Sequence, residues 1–164
     1  MTINVDGLKF DFETNWQASK YDEWSYYRNQ FVKQFDGIKA VDLLAISPDK
    51  MTFLIEVKDY THPDTEKPSN LPQAVADKVF DTLAALLPCS LLANDANEKA
   101  FAKRVIQSKQ LCVVLHMEQP RAHRPVVDPA DILQKLKKLL RAIDAHPKVV
   151  SIQNNPLLPW TVSK

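Results

Sequence analysis

The sequence is poor in glycine, in cysteine and in net charge. Only two glycines, Gly7 and Gly37, occur among 164 residues, which excludes the glycine-rich phosphate loops of dinucleotide-binding and P-loop proteins. Two cysteines, Cys89 and Cys112, are too few for a disulfide scaffold and fit a reducing, cytoplasmic compartment. The formal net charge of +1 argues against a surface covered with nucleic-acid-binding charge, so any polyanion site must be a local patch.

Long hydrophobic runs are also missing. The longest uncharged apolar stretch, residues 82–93, is interrupted by Pro88 and is too short to cross a bilayer. No signal peptide is visible at the beginning of the sequence, and we expect no membrane contact. The hydrophobic content of 45% and the length predict a single domain over residues 1–164.

Hydrophobic periodicity predicts an α/β domain with a mixed central sheet flanked by helices. Residues 2–12 alternate on both sides of Asp6-Gly7 and predict a β-hairpin. Residues 14–35 carry the apolar stripe of a long helix, with Thr14 as its N-cap. Two further helices are predicted over residues 71–87 and 98–109, and a third begins at Asp128. The other predicted strands cover residues 40–46, 52–58, 111–116 and 149–152.

Three charged residues interrupt the apolar strands of the predicted central hairpin. Asp42 lies in the first strand, and Glu56 and Lys58 lie on one face of the second. Burying such charges is costly unless they satisfy one another or bind a metal. The alternative is a solvated cross-strand salt bridge on an exposed sheet face.

Oxygen donors at this position suit a hard divalent cation. Asp42, Glu56 and the main-chain carbonyl of Val57 would supply three ligands for Mg²⁺ or Mn²⁺. Lys58 would then orient an attacking water or neutralise developing charge on a phosphate. No Ser-His-Asp or Cys-His arrangement competes with this interpretation in the sequence.

The Asp42 strand, the short turn and Glu56-Val57-Lys58 resemble the core of the PD-(D/E)XK nuclease superfamily. The resemblance implies a restriction-endonuclease-like fold with its motif core in residues 15–116, followed by a helix and strand in residues 129–152. It also implies Mg²⁺-dependent hydrolysis of phosphodiester bonds, usually in DNA, by an endonuclease or exonuclease. Because the superfamily includes inactive members, the alternative is a non-catalytic binding or assembly module.

The resemblance also suggests supporting residues. Many such nucleases add an acid from the preceding helix, and on a helical wheel Glu23 borders the packed stripe whereas Asp22 points away from it. Gln73 opens the helix after Lys58, where similar nucleases place a polar residue near the metal or the phosphate. One departure is that little chain separates the predicted first helix from Asp42, so either the Asp42 strand pairs directly with the Glu56 strand or the N-terminal hairpin replaces the missing edge strand.

Further basic residues are candidate nucleic-acid contacts. His62 and Lys67 follow the motif in a polar loop, and Arg121 and Arg124 form a basic patch in a Pro-flanked loop. The alternative for each is a solvated loop residue. The apolar tail, residues 154–160, is expected to be exposed and to pack on a second copy or another subunit.

Overall fold

Two β-sheets form the centre of the computed structural model, which describes residues 1–121, 127–155 and 158–164 of the chain. The strands, numbered along the chain, are β1 (Thr2–Val5), β2 (Leu8–Asp11), β3 (Gln17–Lys20), β4 (Leu43–Ile46), β5 (Met51–Asp59), β6 (Gln110–Glu118), β7 (Lys148–Val150) and β8 (Thr161–Ser163). The larger sheet has the order β3-β4-β5-β6-β7, and the smaller sheet has the order β1-β2-β8.

The larger sheet is mixed, as the sequence predicts. The β3, β4 and β5 strands pair antiparallel, whereas β5, β6 and β7 run parallel. Parallel neighbours require long crossover connections, which helices provide here. The carboxyl ends of β5, β6 and β7 therefore meet at one edge of the sheet.

The α-helices of the described residues are α1 (Ser25–Asn29), α2 (Leu71–Leu92), α3 (Ala96–Ile106) and α4 (Pro129–Leu139). The three longer helices begin where a side chain can accept backbone N–H groups of the first turn. Asn70, Asp95 and Asp128 are these capping residues. Such caps satisfy donors that have no partner inside the helix.

Both faces of the larger sheet are covered. In β5, Leu54 packs in a core shared with α2, α3 and α4, whereas Phe53 and Ile55 pack in a second core beneath the smaller sheet. Side chains alternate between the faces of a strand. Glu56 and Lys58 therefore lie on the helix side of the sheet, in line with Leu54.

The N-terminal hairpin is confirmed. Its strands β1 and β2 pair antiparallel, and Val5 lies opposite Leu8. Asp6 and Gly7 both have positive φ, 50° and 86°, as a tight two-residue turn between twisted strands requires. The hairpin belongs to the smaller sheet, however, and does not form the edge of the larger one.

The long helix predicted for residues 14–35 is wrong. This segment forms the edge strand β3, a 3₁₀ turn at Tyr21–Glu23, the short α1 and a second 3₁₀ turn at Phe31–Lys33. Trp16 and Tyr21 are buried in different cores, on opposite sides of the larger sheet. A strand between them allows this burial, and a continuous helix would not.

The missing edge strand is therefore β3, which lies within the segment predicted as helical. It pairs antiparallel with β4, and β4 pairs directly with β5. The aromatic stripe is not one continuous face, because Trp24 is buried but Phe35 is 91% exposed. Phe35 and Asp36 have positive φ and turn the chain toward β4.

Helix ends also differ from the predictions. The α2 helix continues through Pro88 to Leu92, and its last turns are anchored because Cys89 and Ser90 are buried. The α3 helix begins at Ala96, two residues early, because Asp95 caps it. Both cysteines are free and buried.

The expected exposed tail is not observed in the described residues. Trp160 is only 4% exposed and packs against Phe12, Trp16 and Phe53, and β8 pairs with β2. The apolar side chain of Trp160, which was expected to contact a partner, is therefore buried inside the domain. Residues 156–157 lie outside the described residues. Within the described parts of the chain, no helix combines the length and hydropathy needed to cross a membrane.

Candidate active site

Asp42 lies immediately before β4 and contacts the neighbouring strand β5. Its Oδ2 accepts a hydrogen bond from the backbone N–H of Val57 at 2.7 Å. The preceding chain is attached to α2, because the N–H of Val41 donates to Thr82 Oγ1 at 3.0 Å. These contacts fix Asp42 beside the Glu56-Val57-Lys58 segment, as the motif predicts.

Glu56 is the most deeply buried acid of the site, with a side chain only 1% exposed. Its Oε1 lies 2.6 Å from Lys78 Nζ and 3.4 Å from Lys58 Nζ. Its Oε2 is buried and has no hydrogen-bond partner. Burial, reinforced by the charge of Asp42, raises the pKa of Glu56 to about 8, although both lysines oppose the shift.

Lys78 belongs to the candidate site, and the sequence predictions missed it. Its Nζ lies between the two acids, 2.6 Å from Glu56 Oε1 and 3.8 Å from Asp42 Oδ1. Burial by itself would lower the pKa of Lys78, but the charges of Glu56 and Asp42 outweigh it and raise this pKa. The ammonium thus interacts favourably with both acids in their ionised forms.

A signal for Lys78 does exist in the sequence. Leu71, Val75, Lys78 and Thr82 follow one another at spacings of four, three and four residues, which places them on one helix face. The other three are buried in the helix-side core or against it. A lone lysine on a buried stripe indicates an acidic partner in the adjacent layer.

Burial also raises the pKa of Asp42, and its contacts with Lys78 and the Val57 amide act in the opposite direction. On the helix side of the sheet, the negative charges of the two acids are opposed by the positive charges of Lys58 and Lys78. Asp42, Glu56 and Lys58 therefore converge, as a catalytic site requires. A solvated surface salt bridge does not describe this arrangement, because Glu56 is inside the protein.

A cavity of about 240 Å³ opens onto Glu56. Three of its lining residues are lysines, Lys39, Lys58 and Lys78, and Glu66 is the second acid in its wall. Ammonium groups around a concave site favour an anionic ligand. The cavity thus combines cations for a phosphate with a buried carboxylate.

The choice of Glu23 over Asp22 is corrected by the fold. Glu23 is 48% exposed at its side chain and pairs with Lys20 at 2.6 Å. Asp22 has a buried Oδ1 without a hydrogen-bond partner. The pKa of Asp22 is raised by burial and then by the charge of Asp42. Asp22 is therefore the acid that interacts electrostatically with the candidate site. The helical wheel misassigned the two because these residues form a 3₁₀ turn rather than an α-helix.

The other predicted contacts do not join this group. Gln73 is exposed and donates to Asp77 at 2.8 Å. His62 is 62% exposed and lies 3.5 Å from Asp59, and Lys67 Nζ lies 5.8 Å from the centre of the Tyr60 ring.

The two predicted arginine contacts have different outcomes. Arg121 lines a separate cavity at the end of β6. Arg124 lies outside the described residues. Arg121 does not line the cavity at Glu56.

The donor set suits one hard cation only in part. In the described portion of the chain, no three His, Cys, Asp or Glu side chains are grouped closely enough to hold a metal. Two carboxylates and the Val57 carbonyl remain, and Mg²⁺ is commonly held by one or two carboxylates with waters completing its shell. The unpartnered Oε2 of Glu56 is consistent with such a ligand, whereas Lys78 Nζ competes for Oε1.

Comparison with known proteins does not show a family for this chain. No family model matches the chain, and no solved structure matches it. The chain is 30% identical, over an alignment 207 positions long, to a cysteine–tRNA ligase of Neisseria meningitidis serogroup A. The alignment covers 99% of this chain but 30% of the ligase, so the chain spans less than a third of that relative's length.

Proposed function

We propose that the protein is a metal-dependent phosphodiester hydrolase with a restriction-endonuclease-like fold, and that its substrate is DNA. The observation that carries the proposal is the buried Glu56 carboxylate, held beside Asp42 and Lys58 at a lysine-lined cavity. The strand order and the helix α2 after β5 support the fold assignment. The resemblance to PD-(D/E)XK nucleases connects this geometry to hydrolysis.

Each residue has a defined role in this proposal. Asp42, Glu56 and the Val57 carbonyl would hold Mg²⁺ or Mn²⁺, which supplies Lewis-acid stabilisation of the phosphorane-like charge when bound. Lys58 orients the attacking water next to Glu56, because its ammonium already lies 3.4 Å from that carboxylate. Lys39 and Lys78 attract and neutralise the phosphate at the cavity.

Lys78 has a further role before substrate arrives. Its ammonium holds Glu56 Oε1 at 2.6 Å and so balances the charge that a divalent ion would balance. Turning away from Glu56, Lys78 would release Oε1 to the metal and move its charge toward the phosphate.

The free cysteines Cys89 and Cys112 support a cytoplasmic location, where thiols stay reduced.

A second candidate is a non-catalytic module on the same fold. The Lys78–Glu56 ion pair favours it, because this pair satisfies the buried acid without any metal. The match to part of a longer ligase also favours it, since an accessory segment of a larger protein need not catalyse a reaction of its own. In this second candidate function, the lysine-lined cavity binds a nucleic acid, such as tRNA, without cleaving it.

A hydrolysis assay distinguishes the two candidates. The purified chain is incubated with Mg²⁺ or Mn²⁺ and single-stranded, duplex or branched DNA, with the same strands as RNA in parallel. Glu56→Gln and Lys58→Ala should each lower the rate by about 100-fold or more, and Lys138→Ala, an exposed lysine of α4, should leave it unchanged. Equal rates for wild type and Lys58→Ala would contradict the hydrolase.

A further inference from the structure

A second cavity, of about 560 Å³, lies at the carboxyl ends of the parallel strands. Its wall includes Thr61 just after β5, Glu118 at the end of β6, and residues 151–154 after β7. Ligands of open α/β sheets bind at this edge. The volume falls in the range of small-molecule sites.

This cavity is close to the candidate active site along β5. Thr61 follows Lys58 by three residues, and a chain segment of that length spans at most about 11 Å. A stacked strand advances about 3.4 Å per nucleotide. A strand with its scissile phosphate near Lys58 can therefore place a nucleotide a few positions away at the cavity.

The wall is divided between apolar and ionic groups. Met117, Val150 and Val162 contribute apolar surface, and Arg121 and Lys164 contribute positive charge. Lys164 Nζ is anchored by Thr61 Oγ1 at 2.8 Å and Asp59 Oδ2 at 3.2 Å. The apolar part of the wall can pack against a flat nucleotide base, and the two cations beside it can bind the phosphate attached to that nucleotide.

Arg121 is held in place by a neighbouring amide. With its oxygen turned toward the guanidinium, the Gln153 side chain accepts from Arg121 Nε at 3.2 Å and Nη2 at 2.7 Å. This contact orients the guanidinium without neutralising it. Arg121 thus remains available to a phosphate.

Glu118 supplies a hydrogen-bond acceptor in the cavity wall. His116 Nε2 lies 2.9 Å from Glu118 Oε1, and the Ile152 amide donates to the same oxygen at 2.6 Å. Its Oε2 is not among the buried atoms that lack a partner, and the side chain is 12% exposed. A carboxylate oxygen accepts from the amino group of a base such as cytosine and not from a carbonyl.

We propose that this cavity binds one unpaired nucleotide of the substrate strand, with the amino group of its base at Glu118 and its phosphate at Arg121 and Lys164. The assignment to a substrate strand rests on the proposed function. A base paired in a duplex cannot enter a concave site, so the nucleotide must be single-stranded or turned out of the helix. The site thus predicts a preference for unpaired strands with an amino-bearing base.

Metal-free titrations with cytidine and uridine 5′-monophosphates test the base contact. These ligands differ where cytosine has an amino group and uracil a carbonyl. Wild type should bind the cytidine nucleotide about tenfold more tightly, which corresponds to about 1.4 kcal/mol. Glu118→Gln should abolish or reverse this preference, because it keeps an oxygen for His116 and Ile152 but adds a donor. Equal affinities in wild type, or an unchanged preference in Glu118→Gln, would overturn the proposal.

The phosphate contact has its own test. Arg121→Ala and Lys164→Ala should each weaken cytidine 5′-monophosphate about tenfold or more and leave the nucleoside cytidine unaffected. Arg141→Ala and Lys138→Ala, exposed elsewhere, are the matched controls. Equal effects of the cavity and control variants would overturn this assignment.

A strand titration separates a substrate nucleotide from a free one. A short oligodeoxycytidine should bind wild type more tightly than the same strand in a duplex, and Glu118→Gln should remove most of that difference. Binding of the mononucleotide with no effect of Glu118→Gln on the strand would overturn the strand assignment. Because no metal or cleavage is involved, these outcomes are independent of whether the Glu56 site hydrolyses its substrate.

Discussion

Lys78 Nζ lies 2.6 Å from Glu56 Oε1, where α2 packs on the larger sheet. The pair joins the helix to the strand that carries the motif. It also keeps a nearly inaccessible carboxylate balanced in the absence of a metal. The ion pair thus links the packing of α2 on the larger sheet to the candidate active site.

Lys78→Met is expected to lower the free energy of unfolding by about 1–3 kcal/mol, because it leaves the buried Glu56 carboxylate without its closest partner. Urea denaturation at pH 9 measures the change, because Glu56, with a pKa of about 8, is ionised there. The control is Lys138→Met, which removes an exposed lysine of α4 and should change the free energy by less than about 0.5 kcal/mol.

The double variant Glu56→Gln/Lys78→Met sharpens this expectation. Removing the charge of Glu56 together with its partner should recover part of the loss, so the two single effects should not add. Strict additivity would mean that the ion pair contributes nothing to folding. The comparison therefore isolates the pair from the packing of the Lys78 stem.

The pH dependence of folding should report Glu56. Its folded pKa, about 8, lies above the ordinary carboxyl value of 4.5, so the folded state retains a proton that the unfolded state has lost between these two pH values. The contribution of Glu56 is fully present below pH 4.5 and is lost as the pH rises to about 8.

Glu56→Gln should remove this part of the slope, which amounts to at most about 1.4 kcal/mol per pH unit. Urea denaturation of both proteins at several pH values between 5 and 8 gives the two slopes. Parallel stability curves for wild type and Glu56→Gln would show that Glu56 is already ionised throughout this range.

Asp22 and Glu23 are adjacent in sequence and provide a matched pair of variants. Asp22→Asn should raise the free energy of unfolding at pH 8 by about 0.5–1 kcal/mol, because burial and Asp42 disfavour the charged form of Asp22. Glu23→Gln should have no effect or a small destabilising one, since it removes an exposed ion pair with Lys20. The opposite result, with only Glu23 sensitive, would restore Glu23 to the site.

The core motif was predictable from sequence because it depends on alternation within two strands. Asp42, Glu56 and Lys58 interrupt apolar runs, and a strand places alternate residues on one face whatever surrounds it. The hairpin at Asp6-Gly7 was predictable for a similar local reason. Its turn needs two residues with positive φ, and Asp-Gly favours that conformation.

The segment before Asp42 was not predictable in this way. Its aromatic residues fit a helical period, but the edge of the larger sheet and the two separate cores decide its structure. Those constraints come from residues distant in sequence, such as β4, which pairs with β3. The choice between Asp22 and Glu23 was wrong because it assumed that both residues lie on an α-helix. Lys78 was missed because its partner, Glu56, lies on a different element, the strand β5.

Trp160 provides a test of the C-terminal packing that local sequence patterns did not reveal. Its ring lies 5.1–5.9 Å from those of three aromatic residues and is 4% exposed, so Trp160→Ala should lower the free energy of unfolding by about 3–5 kcal/mol. Phe35→Ala is the control, because Phe35 is 91% exposed and its loss should cost less than about 0.5 kcal/mol. Urea denaturation measures both variants. Equal small effects would mean that the tail is detached in solution and free to contact a partner.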